Sequence, residues 1–246
     1  MIPKIIHFCW LSEDQYPDSI QKCIDTWKRF LPDYTIKRWS TKNFDINSVP
    51  LVKQAYESKK YAFAADYIRA YALYTEGGVY LDSDVLINKD PHSLFEGADY
   101  VTGLEFMPAD QYQYSISIDN ECNRLPIVDK IPGVGLQAAV MASVPGHPLT
   151  KKILEYYKDK DLQYILGNNI LAPIVQAQCA EEYGFRYTNT EQHLTHGICV
   201  YPTGIIGQNR LEVYGRFLTH MCAGTWLVPS KKSILKNKIK KFLHYN

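Results

Sequence analysis

Fifteen consecutive residues, Tyr61 to Thr75, carry only two charges, Asp66 and Arg69, and run directly into Glu76-Gly77-Gly78-Val79-Tyr80-Leu81-Asp82-Ser83-Asp84. Such a stretch reads as a largely buried helix, a glycine stop and a short strand ending in two aspartates. Burying Asp66 and Arg69 is costly unless they are paired or put to use. They stand at i and i+3, share a helix face and can pair. Two carboxylates one residue apart on a strand end point the same way and repel. A divalent cation removes that repulsion and attracts phosphate oxygens. Helix, stop and acidic strand end together point to a seat for a metal-bound, phosphate-bearing ligand.

The remaining chain supplies a sheet around that segment. Ile5 to Trp10 is an apolar run of strand length. After Pro17-Asp18-Ser19, Ile20, Ile24 and Trp27 recur at helical spacing. Tyr34 to Trp39 alternates as a second strand. A helix follows over about Val49 to Ser58, then the long helix from about Lys60 to Glu76, and Val79 to Ile87 reads as one strand. Asp99 to Glu105 and Leu136 to Ser143 are further strands, and His147 to Tyr157 and Asn169 to Glu182 are further helices. Val200 to Gly215, broken by glycine and proline, supports no assignment. Strands alternating with helices predict an α/β fold with a mostly parallel, Rossmann-like sheet flanked by helices. Ligands of such sheets sit at the carboxyl ends of the strands, where Asp82 to Asp84 lie.

One domain is expected over residues 1–230, with a distinct segment over 231–246. In that segment Leu235, Ile239 and Phe242 fall at i, i+4 and i+7 beside Lys231, Lys232, Lys236, Lys238, Lys240 and Lys241. It reads as a basic amphipathic helix that either packs on the domain or touches an anionic membrane surface. A formal net charge of +1 argues against nucleic acid as the main partner. The six cysteines form no Cys-x-x-Cys pair and match no zinc spacing. They read as reduced, buried thiols. With a poor signal peptide and no apolar run long enough to span a membrane, they place the chain in the cytoplasm, peripheral to the inner face of the membrane at most.

An Asp-x-Asp triplet alone carries little weight. With 15 aspartates in 246 residues, roughly one such triplet arises by chance. The chain contains its own control, Asp159-Lys160-Asp161, in a polar, lysine-rich stretch that reads as a solvated loop. Asp82-Ser83-Asp84 differs because apolar residues flank it on both sides.

Four blocks, taken together, are more specific. Ile5-Ile6-His7-Phe8-Cys9-Trp10, Ala65-Asp66-Tyr67-Ile68-Arg69, Gly77 to Asp84, and His220-Met221-Cys222-Ala223-Gly224-Thr225-Trp226 resemble glycosyltransferase family 32. That is the sugar-binding Asp-x-Asp family of yeast-type mannosyltransferases and bacterial capsule and lipopolysaccharide transferases, related to clostridial toxin glucosyltransferase domains. The resemblance implies a GT-A fold, a nucleotide-sugar donor (a UDP-sugar first), and a divalent metal, Mn²⁺ or Mg²⁺. It implies transfer to a hydroxyl of a glycan or lipid-linked glycan acceptor in surface polysaccharide biosynthesis, with retention of configuration.

It also implies roles. Donor contacts fall on His7, Trp10, Asp66, Arg69, Tyr80, Asp82, Thr225 and Trp226, with Trp10 stacking on the nucleobase. Metal ligation falls on Asp84, His220 and Asp82, and the catalytic set is Asp82, Asp84 and Arg69. Thr225 stands where serine is commoner, and Ala172-Pro173 stands where Gly-Pro is common, so no role is carried onto that step. A front-face displacement needs no protein nucleophile. A double displacement needs a carboxylate, for which Asp119 and Glu121 are the candidates. The acceptor is expected against Tyr112, Tyr114 and the segment up to Arg124. A nucleotide-sugar hydrolase and a non-catalytic nucleotide- or carbohydrate-binding module would use the same donor site.

Overall fold

The structure, a computed structural model, describes residues 1–209 and 214–223. The strands are β1 (Ile5–Cys9), β2 (Thr35–Trp39), β3 (Gly78–Leu81), β4 (Val85–Ile87), β5 (Tyr100–Phe106), β6 (Val134–Ser143), β7 (Gln192–Leu194), β8 (Ile198–Tyr201), β9 (Ile206–Gln208) and β10 (Leu218–His220). The helices are α1 (Asp18–Phe30), α2 (Pro50–Glu57), α3 (Tyr61–Glu76), α4 (His92–Phe95), α5 (Gln111–Ser115), α6 (Pro148–Lys158), α7 (Leu162–Gly167) and α8 (Ala172–Ala180).

Seven strands form the main sheet in the order β2-β1-β3-β6-β5-β8-β7. Strand β1 is parallel to β2 and β3, and β5 to β8. Strand β6 opposes β3 and β5, and β7 opposes β8. Five strands therefore point one way, as expected for a mostly parallel α/β sheet. Strands β4, β10 and β9 form a second, smaller sheet.

Alternation along β3 shows how the two faces are filled. Val79 and Leu81 join Ile20, Ile24 and Trp27 of α1 in one core, while Tyr80 joins Ile68 and Leu73 of α3 in the other. The expected face of α1 is the buried one. Four alanines of α3 (Ala64, Ala65, Ala70 and Ala72) are buried as well, so this helix is wrapped on several sides.

The glycine pair ends α3. Gly77 sits at φ 65°, with its amide donating to the Leu73 carbonyl at 3.0 Å. Gly78, at φ 106°, packs so closely on β1 that a Cβ would lie 2.6 Å from the Ile5 carbonyl oxygen. Both positions demand glycine, for a left-handed backbone and for packing on β1. His7 locks the same junction. It is fully buried, its Nε2–H donates to the Gly77 carbonyl at 2.7 Å, and its Nδ1 accepts from Trp39 Nε1 at 3.0 Å.

Three segments depart from the sequence-based expectation. Val79 to Ile87 is two strands in two sheets. The Asp82 amide still bonds Ala139 of β6 at 2.8 Å, but the Val85 amide then closes a turn onto the Asp82 carbonyl at 2.9 Å, and β4 leaves to pair with β10. The helix expected from Asn169 begins at Ala172 and is preceded by α7, whose N-terminus is capped by Asp161 accepting from the Tyr164 amide. The control triplet is thus cap chemistry. The unassigned stretch after Val200 holds the end of β8 and all of β9. Thr225, Trp226 and the basic segment 231–246 lie outside the described residues. Among the described residues no helix is long and apolar enough to cross a membrane.

Candidate active site

Strands β1, β3 and β5 run in one direction, and their carboxyl ends open onto a cavity of about 810 Å³. Trp10 follows β1, Tyr80 and Asp82 lie at the end of β3, and Glu105 stands near the end of β5. Arg69 reaches in from α3. Asp84 and His220 enter from the junction with the second sheet. The break between β3 and β4 therefore brings the two sheets together at the aspartate pair.

Arg69 organises the inner wall. It is 5% exposed, and each of its three guanidinium nitrogens has a partner. Nε donates to the Ala65 carbonyl at 3.1 Å, and Nη1 donates to the Ala138 carbonyl at 2.6 Å. Nη2 lies 3.0 Å from Asp66 Oδ1 and 3.6 Å from Asp82 Oδ1. The guanidinium also stacks over the Tyr80 ring at 5.0 Å, and the Tyr80 hydroxyl donates to Asp82 Oδ1 at 2.9 Å. Tyr80 and Asp82 share a face of β3, so period-two alternation aims Asp82 at α3.

Asp66 stands behind Arg69 and does not line the cavity. Burial raises its pKa from 3.8 to about 7, with Arg69 opposing the rise and Asp82 adding to it. A carboxyl whose pKa is raised by folding contributes most to stability below its unfolded pKa, and that contribution is lost as pH climbs through about 7. Asp66→Asn cannot titrate. The melting temperature of the metal-free Asn variant is therefore expected to gain on the wild type as pH rises from 5 to 8. Parallel curves for the two proteins across that range would rule out the titration.

Asp84 is clasped by the residues around β10. Its carbonyl accepts from the Met221 amide at 3.0 Å, its Oδ2 accepts from the Ala223 amide at 2.7 Å, and its Oδ1 faces His220 Nε2 at 3.4 Å. Burial alone would raise the Asp84 pKa. The bonds from His220 and Ala223 outweigh it and hold the carboxyl below its usual range. Burial likewise opposes charge on His220, but Asp84 holds it well above 6.5.

One ligand atom each from Asp82, Asp84 and His220 can be chosen so that all lie within 4.8 Å of one another. Two carboxylate oxygens and an imidazole nitrogen suit a divalent cation such as Mn²⁺, which accepts nitrogen more readily than Mg²⁺ does. The donor set therefore fits the metal that the sequence implied.

Other expectations fall elsewhere. His7 does not line the cavity, since both ring nitrogens are committed to the α3 stop and Trp39. Asp119 is exposed and is bonded within its own loop to Asn123 and the Glu121 amide. Neither Asp119 nor Glu121 lines the cavity. Tyr114 turns inward to donate to the Tyr187 carbonyl, and Arg124 is held by Glu181 at 2.7 Å.

Besides Asp82 and Asp84, the carboxylates lining the cavity are Asp14, which accepts from the Ser12 hydroxyl, and Glu105, whose side chain makes no hydrogen bond or ion pair among the described residues. Its signal was present in the sequence. An apolar strand, Tyr100 to Leu104, ends in an acid just as Val79 to Leu81 does. Cys9 also lines the wall, but burial pushes its thiol up to about 12, which makes it an inert neighbour.

Residues 17–100 match the glycosyltransferase sugar-binding region containing the DXD motif. Within the matched residues lie α3 with Asp66 and Arg69, strand β3 with Tyr80, and both aspartates Asp82 and Asp84. Inositol phosphoceramide mannosyltransferase 3 of Schizosaccharomyces pombe is 35% identical over 95 residues, 36% of this chain and 26% of its own length. Mannosyl phosphorylinositol ceramide synthase CSH1 of Saccharomyces cerevisiae is 26% identical over 204 residues, 78% of this chain and 46% of its own length. The chain thus spans less than half the length of these relatives. Among solved structures, the PaToxG glycosyltransferase aligns over 74% of this chain and 69% of its own at 18% identity, with a TM-score of 0.47.

Proposed function

We propose that the protein is a GT-A glycosyltransferase that moves a hexose from a nucleoside diphosphate-sugar to a hydroxyl acceptor. The observation that carries this reading is the convergence of Asp82, Asp84 and His220 in a cavity that Arg69, Tyr80 and Trp10 also line. Bound there, Mn²⁺ or Mg²⁺ supplies Lewis-acid stabilisation of the charge that develops on a departing diphosphate.

The chain's own residues do the rest. Asp82 and Asp84 hold the cation, with His220 as third ligand. The Arg69 guanidinium, desolvated and rigidly bonded, orients Asp82 and presents positive charge to the donor sugar side. Trp10 is half-buried, and its Nε1 is held by the Asp14 carbonyl at 2.9 Å. Its indole flanks the cavity edge-on to Tyr16 and offers a face for a nucleobase. Holding base, diphosphate and sugar on three separate groups fixes the anomeric carbon beside the acceptor. Glu105 is the free acceptor of hydrogen bonds on the same floor, available to a hydroxyl of either substrate.

The names of the yeast relatives put mannose first among the sugars and an inositol-phosphate lipid headgroup first among the acceptors. This shifts the acceptor from the surface polysaccharide that the sequence resemblance implied. A lipid acceptor gives the basic segment 231–246 a use, as a contact with the anionic face of a membrane.

The test is a panel of UDP- and GDP-hexoses with Mn²⁺, read as nucleoside diphosphate release with and without glycan and inositol-lipid acceptors. Acceptor-stimulated release supports transfer. Release that no acceptor stimulates marks a hydrolase, and tight nucleotide binding without release marks a binding module. In the same assay Trp10→Ala is expected to weaken nucleoside diphosphate binding by about 1–3 kcal/mol, the usual worth of a base–aromatic stack. Unchanged affinity would remove Trp10 from the base site.

A further inference from the structure

His220 has two ring nitrogens, and only Nε2 faces Asp84. We propose that Cys222 is a positioning residue for His220, its thiol holding the Nδ1–H so that Nε2 is the nitrogen turned to the cation. This rests on the reading that Asp82, Asp84 and His220 bind a divalent ion.

The Cys222 Sγ lies 3.5 Å from His220 Nδ1 and 3.6 Å from the His220 carbonyl oxygen. Both are ordinary separations for sulfur, and they assign the protons without conflict. Nδ1–H donates to Sγ, and S–H donates to the carbonyl, so each group is used once. Nδ1 has no other partner among the described residues. A histidine that ligates through one nitrogen must keep its proton on the other, and an acceptor there fixes both tautomer and ring orientation. Here that acceptor is a thiol rather than a carboxylate.

The backbone supports the same role. Cys222 sits at φ 50°, in the left-handed region that side-chain-bearing residues rarely enter. That turn lets the Ala223 amide reach Asp84 Oδ2 at 2.7 Å one residue later. A single turn therefore sends the thiol to one ligand of the trio and an amide to another. In the sequence Cys222 is an unassigned residue between His220 and Trp226.

Mn²⁺ titration of the intact chain, followed by the EPR signal of the free ion, tests this in the wild type, Cys222→Ser and Cys222→Ala. Alanine is expected to weaken Mn²⁺ binding roughly 10- to 100-fold, as loss of a ligand's outer partner does. Serine keeps an acceptor and a donor, and is expected to stay near the wild type. Melting temperatures of the metal-free proteins should not follow this order.

Mn²⁺ binding to the alanine variant at wild-type strength overturns the inference, as does serine binding as weakly as alanine. A wild type that binds no Mn²⁺ overturns the metal reading and this inference with it. A readout that needs no variant is the ¹⁵N spectrum of the His220 ring in the Mg²⁺-loaded protein. The proton is expected on Nδ1, and a proton found on Nε2 overturns the assignment.

Discussion

Asp84→Asn is expected to lower Mn²⁺-dependent nucleoside diphosphate release roughly 10²–10³-fold, the usual loss when one group that stabilises developing charge is removed. Asparagine is the informative variant because Asp84 does two separable things. Its Oδ2 accepts the Ala223 amide at 2.7 Å and so holds the segment after β10. An amide oxygen can still do that. Its negative charge faces His220 Nε2 at 3.4 Å and completes the trio with Asp82. An amide cannot do that. Asp84→Ala removes both, and is expected to add a loss of about 1 kcal/mol in stability for the broken hydrogen bond. The pair separates chemistry from folding. Both variants lose turnover, Mn²⁺ affinity and the charge that pairs with His220, and alanine loses more melting temperature than asparagine because it also breaks the Ala223 bond. Full turnover by the Asn variant, or by the wild type in excess chelator, removes the metal from the mechanism.

What could be read in the sequence was local. The α3 run, the glycine stop and the acidic end of β3 lie within 24 consecutive residues, 61–84, and each follows from charge, spacing and backbone freedom within a few positions. The pairing of Asp66 with Arg69 is an i, i+3 relation on one helix and was legible for the same reason. What the sequence hid depends on partners distant along the chain. Nothing local says that β4 must leave β3, because the reason is β10, which lies more than 130 residues later. His7 sits in a block that resembles a donor site, yet its neighbours in space are Gly77 and Trp39, and they use both nitrogens. Glu105 was visible as an acid ending a strand but was not singled out, since only the direction of β5 relative to β1 and β3 brings it to the same cavity.

The same distinction separates binding groups from structural ones, and Arg69 belongs to both. Arg69→Met is expected to destabilise the protein by about 3–5 kcal/mol, the cost of breaking a buried ion pair by removing one partner. Methionine roughly fills the volume but leaves the Ala65 and Ala138 carbonyls without a donor, and Asp66 without its counter-charge in a site where burial already raises its pKa to about 7. That gives a way to divide the loss. Adding Asp66→Asn to Arg69→Met removes the stranded carboxylate, so the double variant should be more stable than the Arg69→Met single variant, and the two changes should be far from additive. Activity should not return with stability, because Asp82 still lacks the guanidinium 3.6 Å away that orients it toward the cavity. Urea denaturation of the four proteins of this cycle, paired with nucleoside diphosphate release, measures both. Additive stabilities would show that Arg69 and Asp66 act independently, and recovered turnover in the double variant would show that Arg69 serves the fold alone.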